Sequence, residues 1–175
     1  MKQHVILVGL PGAGKTTVGR RAAELLATDF IDLDECVETD TGKSVAAIFA
    51  SSGEAEFRRL ESSAMQRALA APARLIAAGG GWIVQPGNLE AARKTGACVL
   101  YLNISPNAAA ARLRGDSSRP LLAGDRGARL RLLLDQREAM YQNADLEVDA
   151  EADVETVAGK VARSIFSLWS NSTQS

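Results

Sequence analysis

Eight residues near the amino terminus carry the sharpest chemical signal in the chain. Gly9-Leu10-Pro11-Gly12-Ala13-Gly14-Lys15-Thr16 fits G-x-x-x-x-G-K-[ST], a spacing in which glycines let backbone N–H groups turn inward around phosphate oxygens. A hydrophobic run precedes the motif and a helical pattern follows it, so the start of a helix adds its positive dipole end to the same anion. The cradle is expected to run through Gly12, Ala13, Gly14, Lys15, Thr16 and Thr17. Lys15 would bridge the β- and γ-phosphates of ATP, and the Thr16 hydroxyl would coordinate Mg²⁺.

Such a loop serves kinases, GTPases and motor-type ATPases alike, and the remaining residues have to choose among them. GTPases need a guanine-reading N-K-x-D, whereas Asn103 is followed by Ile104 and Ser105. Large ATPases need more chain than 175 residues. A kinase for a small molecule or a nucleotide remains.

Asp32 and Asp34 fall at the expected carboxyl end of a strand, where alternation turns them to opposite sides. One can face the metal through water and the other an acceptor hydroxyl, which a carboxylate can orient and deprotonate. Arg58 lies beside the apolar stripe Phe57, Leu60, Ala64 and Ala68 and, taken alone, reads as a member of surface ion pairs with Glu54 and Glu61, although Glu61, one turn away, could equally hold that guanidinium in place. Arg137 is more informative. It follows Leu130 and Leu133 or Leu134 at helical intervals and precedes Met140 and Tyr141 on the same side, so its guanidinium must find an anion or another compensating partner. Two arginines near a phosphate loop can serve two anions, the transferring phosphate and an acceptor carboxylate. Gly79-Gly80-Gly81 after a buried strand allows close backbone approach to a ligand.

These residues need a scaffold, and apolar runs alternate with helical periodicities along the whole chain. The pattern is that of an α/β protein, a three-layer α/β/α arrangement with a mainly parallel five-stranded sheet. Strands are expected near residues 4–8, 30–33, 74–78, 98–102 and 146–148. Helices are expected near 15–27, 54–69, 88–94, from 106, 128–142 and 154–169, with a further helical region after Asp34 broken near Gly42 and Gly53. In the last helix Val154, Val157, Val161, Ile165 and Leu168 should be core. The polar stretch from Gly115 to Gly127 reads as a mobile lid, and residues 170–175 as a disordered tail. No linker divides the chain, so residues 1–175 are read as one domain.

Composition excludes several classes of function. A hydrophobic fraction of 46% supports one core, and Lys+Arg 20 against Asp+Glu 21 gives no global field for nucleic acid or an anionic membrane. No apolar run approaches the length of a membrane span. Cys36 and Cys98 match no metal spacing and read as free thiols, which points to the cytoplasm. His4, the one histidine, has no catalytic case, and nothing requires more than a monomer.

Taken together, Gly9 to Thr17, Asp32-x-Asp34, Gly53-Glu54 with Phe57-Arg58, Gly79-Gly80-Gly81, Arg119-Pro120-Leu121-Leu122, and Arg137 with Tyr141 resemble the shikimate kinase family. The resemblance covers about Val5 to Val161 and implies a P-loop nucleotide-kinase-like fold. It further implies that Asp34 binds the ring hydroxyls of shikimate, that Arg58 and Arg137 clamp its carboxylate, and that Gly80 and Gly81 line the pocket. Asp32 would support Mg²⁺ through water, Arg119 would be carried in by the lid to stabilise the transferring phosphate, and Arg112 would stack on adenine. The catalytic set would be Lys15, Asp34 and Arg119, the partners ATP and shikimate, and the product shikimate 3-phosphate on the route to aromatic amino acids.

One departure from the family pattern is Trp82, where a small residue is usual. An indole at the pocket wall could reshape it, although an isolated Trp ordinarily belongs to the core. Two other readings compete with the first: a kinase for another polyol acid such as gluconate, lacking the paired arginines, and a nucleotide-binding regulatory module without turnover.

Overall fold

The computed structural model describes residues 2–114 and 125–171. Five strands form one parallel sheet: β1 (Val5–Val8), β2 (Asp29–Asp32), β3 (Arg74–Ala77), β4 (Cys98–Asn103) and β5 (Leu146–Asp149), in the order β2-β3-β1-β4-β5. Seven helices alternate with them among the described residues: α1 (Lys15–Leu25), α2 (Leu33–Thr41), α3 (Val45–Leu69), α4 (Asn88–Lys94), α5 (Pro106–Arg112), α6 (Arg126–Tyr141) and α7 (Val154–Asn171).

The central strand explains the layering. All four residues of β1 are buried, from 0% to 1% exposed, although successive side chains point to opposite faces. Both faces of the sheet are therefore covered, as an all-parallel sheet requires. None of the helices is long and apolar enough to cross a membrane, among the described residues.

The order of strands also fixes where a ligand can bind. From β1 the chain passes through α1 to β2 on one flank; from β3, the neighbour of β1, it passes through α4 to β4 on the other. Such a reversal opens a crevice outside the carboxyl ends of the strands. The phosphate loop leaves β1 at that end, Asp32 ends β2, and Gly79 lies two residues beyond β3.

Several expected boundaries shift. Asp34 lies not on a strand but in the first turn of α2, because Asp32 caps that helix by accepting from the backbone N–H of Asp34 (2.9 Å) and Glu35 (3.4 Å). The break near Gly53 is a kink within α3, where Gly53 has φ 79°. In α7, Val157, Val161 and Ile165 are fully buried, whereas Val154 is 43% exposed at the first position and Leu168 only partly buried. Helix ends have fewer neighbours, so periodicity overstates their burial. The same holds for Met140 near the end of α6, which is 44% exposed.

Residues 115–124 of the expected lid, Arg119 among them, lie outside the described residues. The last three residues of that stretch belong to α6 instead: Asp125 is its N-cap, accepting from Ala128 N at 3.0 Å, and the helix starts at Arg126. Likewise Ser170 and Asn171, assigned to the tail, extend α7, and residues 172–175 lie outside the described residues.

Candidate active site

The phosphate loop is shaped by its glycines and its packing. Gly12 has φ 86°, and a Cβ there would come within 2.7 Å of the Ala109 carbonyl oxygen on α5, so only glycine fits this turn. The Ala13 N–H donates to the Leu10 carbonyl at 3.1 Å, and the Thr17 hydroxyl donates to the Gly14 carbonyl at 3.2 Å. Lys15 Nζ donates to the carbonyls of Gly9 (2.9 Å) and Leu10 (3.1 Å), which holds the ammonium over the loop. The Thr16 hydroxyl donates to Asp32 Oδ2 at 2.6 Å. Loop and strand end thus place a hydroxyl and a carboxylate side by side.

That donor set suits a hard cation. Among the described residues no cluster of three or more His, Cys, Asp or Glu could hold a metal unaided. An ion at Thr16 and Asp32 would accordingly take few protein oxygens and complete its shell with phosphates and water, which is the habit of Mg²⁺.

Beside the loop lies a cavity of about 420 Å³. Its floor is the Gly79–Gly81 turn, its polar groups include Asp34, Arg58 and Arg137, and Pro11 and Thr16 join it to the phosphate loop. Its apolar wall comes from Val45, Phe49, Phe57 and Leu133. The Phe49 and Phe57 rings meet at 4.9 Å across the Gly53 kink. Sequence reasoning identified none of this wall as part of a site. The available signal was Phe49 just before Ser51-Ser52-Gly53, since an aromatic beside a helix break projects from a bend.

Two guanidinium groups meet the turn at Gly80 and Gly81. Arg137 Nη1 donates to the Gly80 carbonyl at 2.7 Å, and a Cβ on Gly81 would collide with Arg58 Nη2. Arg58 is fixed from behind: its Nη1 donates to Glu61 Oε2 at 2.7 Å and its Nη2 to Glu54 Oε1 at 3.1 Å. Glu61 is 1% exposed, so it is no surface partner. Burial raises its carboxyl above the usual range, Arg58 pulls it down, and the nearby Asp34 charge raises it again. The Arg58 guanidinium is held fully charged in spite of its own burial, chiefly by the attraction of Glu61.

The remaining expected residues also have definite places. Arg112, at the end of α5, donates through Nη2 to the carbonyls of Ala150 (2.7 Å), Glu151 (3.3 Å) and Ala152 (2.6 Å). Its Nη1 lies 3.9 Å from where a Cβ of Gly14 would sit. It therefore borders the phosphate loop and braces the loop before α7. Trp82 is 2% exposed, belongs to the core and does not line the cavity. Its backbone closes the floor instead, with its N–H on the Gly79 carbonyl at 3.0 Å and its carbonyl accepting from Asn88 Nδ2 at 2.9 Å.

A parallel sheet with a phosphate loop on its central strand, and an acidic and doubly cationic cavity beside that loop, defines a P-loop kinase for a small anionic acceptor. The chain belongs to the shikimate kinase family, whose model matches residues 11–167. It is 43% identical to a shikimate kinase of Mycobacterium avium over 145 residues, 82% of this chain and 81% of that one. The solved shikimate kinase of Acinetobacter baumannii in complex with shikimate superposes with a TM-score of 0.88 at 34% identity, covering 94% of this chain and 93% of that one. A gluconokinase from Sinorhizobium meliloti shares the fold alone, with a TM-score of 0.65 at 15% identity over 97% and 95% of the two chains.

Proposed function

We propose that the chain transfers the γ-phosphoryl group of ATP to the 3-hydroxyl of shikimate, giving shikimate 3-phosphate and ADP. The observation that carries this reading is the pair Arg58 and Arg137 at the Gly80–Gly81 turn, in the cavity that also holds Asp34. A cyclic acid with ring hydroxyls fits this arrangement: the carboxylate takes the two guanidinium forks and a hydroxyl faces the aspartate.

In the proposed mechanism Asp34 accepts a hydrogen bond from the acceptor hydroxyl and orients its oxygen toward the γ-phosphorus. The new O–P bond forms as the bond to the β–γ bridging oxygen breaks, and the hydroxyl proton passes to the Asp34 carboxylate. Lys15 leaves its loop carbonyls for the β- and γ-phosphate oxygens and stays with them as charge builds on ADP. Thr16 directly, and Asp32 through water, would hold Mg²⁺, which when bound neutralises charge between the β- and γ-phosphates. Arg119, outside the described residues, is assigned to the transferring phosphoryl oxygens, and Arg112 to the face of adenine. Gly12, Ala13, Gly14 and Thr17 would supply loop contacts to the phosphates. The free thiols Cys36 and Cys98 suit a reducing cytoplasm, and the proposed enzyme acts there as a monomer.

The test is ADP release with Mg²⁺·ATP and shikimate, beside gluconate and an acceptor-free control. Shikimate-dependent release that Asp34→Asn lowers by roughly 10²- to 10⁴-fold supports the reading. ATP binding without shikimate turnover would refute it and leave the regulatory alternative; turnover on gluconate alone would favour the other kinase.

A further inference from the structure

The Gly80 carbonyl that receives Arg137 Nη1 has a second donor. The hydroxyl of Tyr141, one turn further along α6, reaches the same oxygen at 3.3 Å. Tyr141 is 1% exposed, and its ring stacks on Tyr101 of β4 with centroids 4.7 Å apart and planes 5° from parallel. Tyr101 is itself 5% exposed and held by its hydroxyl on Asn103 Oδ1 at 3.2 Å. The Tyr141 ring is therefore clamped, whereas Arg137 lines the cavity.

An arginine that binds an acceptor carboxylate must give up some of its hold on the protein. Gly80 is half-buried, and a carbonyl there left without a donor would lose part of the free energy of a hydrogen bond. We propose that Tyr141 is a positioning residue for acceptor binding: its hydroxyl keeps the Gly80 carbonyl satisfied when the Arg137 guanidinium turns to the acceptor carboxylate. Because a trans peptide points C=O and N–H in opposite directions and no peptide among the described residues is cis, holding this oxygen on the α6 side also holds the Gly81 N–H pointing away from it. The tyrosine thus fixes the floor between both arginines without touching the acceptor. This inference rests on the acceptor reading above.

Burial raises the Tyr141 hydroxyl pKa above its ordinary value, with Arg137 opposing, so the group remains a donor at neutral pH. The experiment begins with wild-type turnover on shikimate, whose absence would remove the acceptor reading and this inference together. With turnover established, Tyr141→Phe keeps the ring and its stack but removes the oxygen. Shikimate KM is expected to rise roughly 3- to 10-fold, with kcat and the KM for ATP within about twofold, the signature of lost ground-state binding. In an Arg137→Ala background the same substitution should add nothing, because the exchange it assists is gone.

An unchanged shikimate KM, equal rises for both substrates, or the full effect persisting without Arg137 would each overturn the inference while leaving the acceptor reading intact. A second measurement does not depend on Tyr141→Phe folding. Tyr101 and Tyr141 are the only tyrosines in the sequence, so 3-fluorotyrosine labelling of the wild-type chain gives two ¹⁹F signals, assigned by Tyr101→Phe. Shikimate alone should move the Tyr141 signal; a signal that stays fixed at saturation sinks the proposal.

Discussion

Glu61, buried to 1% exposure, holds Arg58 Nη1 at 2.7 Å, so a guanidinium that faces the cavity is fixed from inside the core. Breaking such a pair from the buried side leaves Arg58 only its more exposed partner, Glu54. Glu61→Ala should destabilise the fold by about 3 kcal/mol, read by urea unfolding. Glu61→Gln, which keeps an acceptor oxygen for Arg58, should recover part of that loss. A loss under about 0.5 kcal/mol for the alanine variant, the ordinary size of a surface substitution, would mean that Arg58 finds another anchor.

Arg137 is assigned to the acceptor, beside the Gly80 carbonyl to which it donates. Arg137→Ala should raise the shikimate KM by roughly 30- to 1000-fold, the loss expected for truncating one partner of a desolvated charge pair. The KM for ATP should change by no more than about threefold. Equal losses for both substrates would refute this division of roles.

Gly81 leaves the room that Arg58 occupies. In Gly81→Ala the new methyl group meets Arg58 Nη2 and displaces the fork from the acceptor carboxylate, lowering kcat/KM for shikimate by roughly 10- to 100-fold. Unchanged kinetics would show that the fork can move aside without loss. ATP binding, measured by calorimetry without acceptor, should stay near the wild-type value.

His4 gives the fold a pH dependence far from the active site. It is 8% exposed, and burial holds its pKa below 6.5. The unfolded chain therefore binds a proton near pH 6.5 that the folded chain resists, and stability falls as pH drops from that point through the folded-state pKa. Between pH 7 and 5 wild type should lose up to about 1.4 kcal/mol per pH unit through this group, and His4→Gln should flatten the slope. Parallel curves for the two proteins would contradict it.

The phosphate loop was readable because its chemistry is local: glycines, a lysine and a hydroxyl in one turn between an apolar run and a helix. The parallel sheet was readable for a similar reason, since residues 5–8 and 98–102 are continuous apolar runs. Arg137 could be placed because a charged side chain on an apolar helix face has few alternatives. Glu61 was legible only by half: the sequence allows it to hold Arg58 or to be a surface partner, because the Glu54, Arg58 and Glu61 stripe has the spacing of a solvated face; its burial comes from Gly79 and Asp34, distant in sequence, closing over it. The apolar wall escaped for the same cause, as Phe49 meets Phe57 only through the bend at Gly53. Asp34 was placed on a strand because a capping aspartate and the last residue of a strand look alike until the N–H groups it accepts are seen.

Strand order divides the molecule's labour. Asp34, Arg58 and the glycine floor all follow or join β2 and β3 on one flank of β1, while Arg112 and the carbonyls it grips follow β4 and β5 on the other. The segment from Leu33 to Trp82 is thus close to an exchangeable cassette: replacing it could redirect the enzyme to a new alcohol while the phosphate loop and Asp32 stay as they are. Arg137 is a charged acceptor contact that such a graft would leave behind, and any redesign would have to begin by deciding what that arginine should meet.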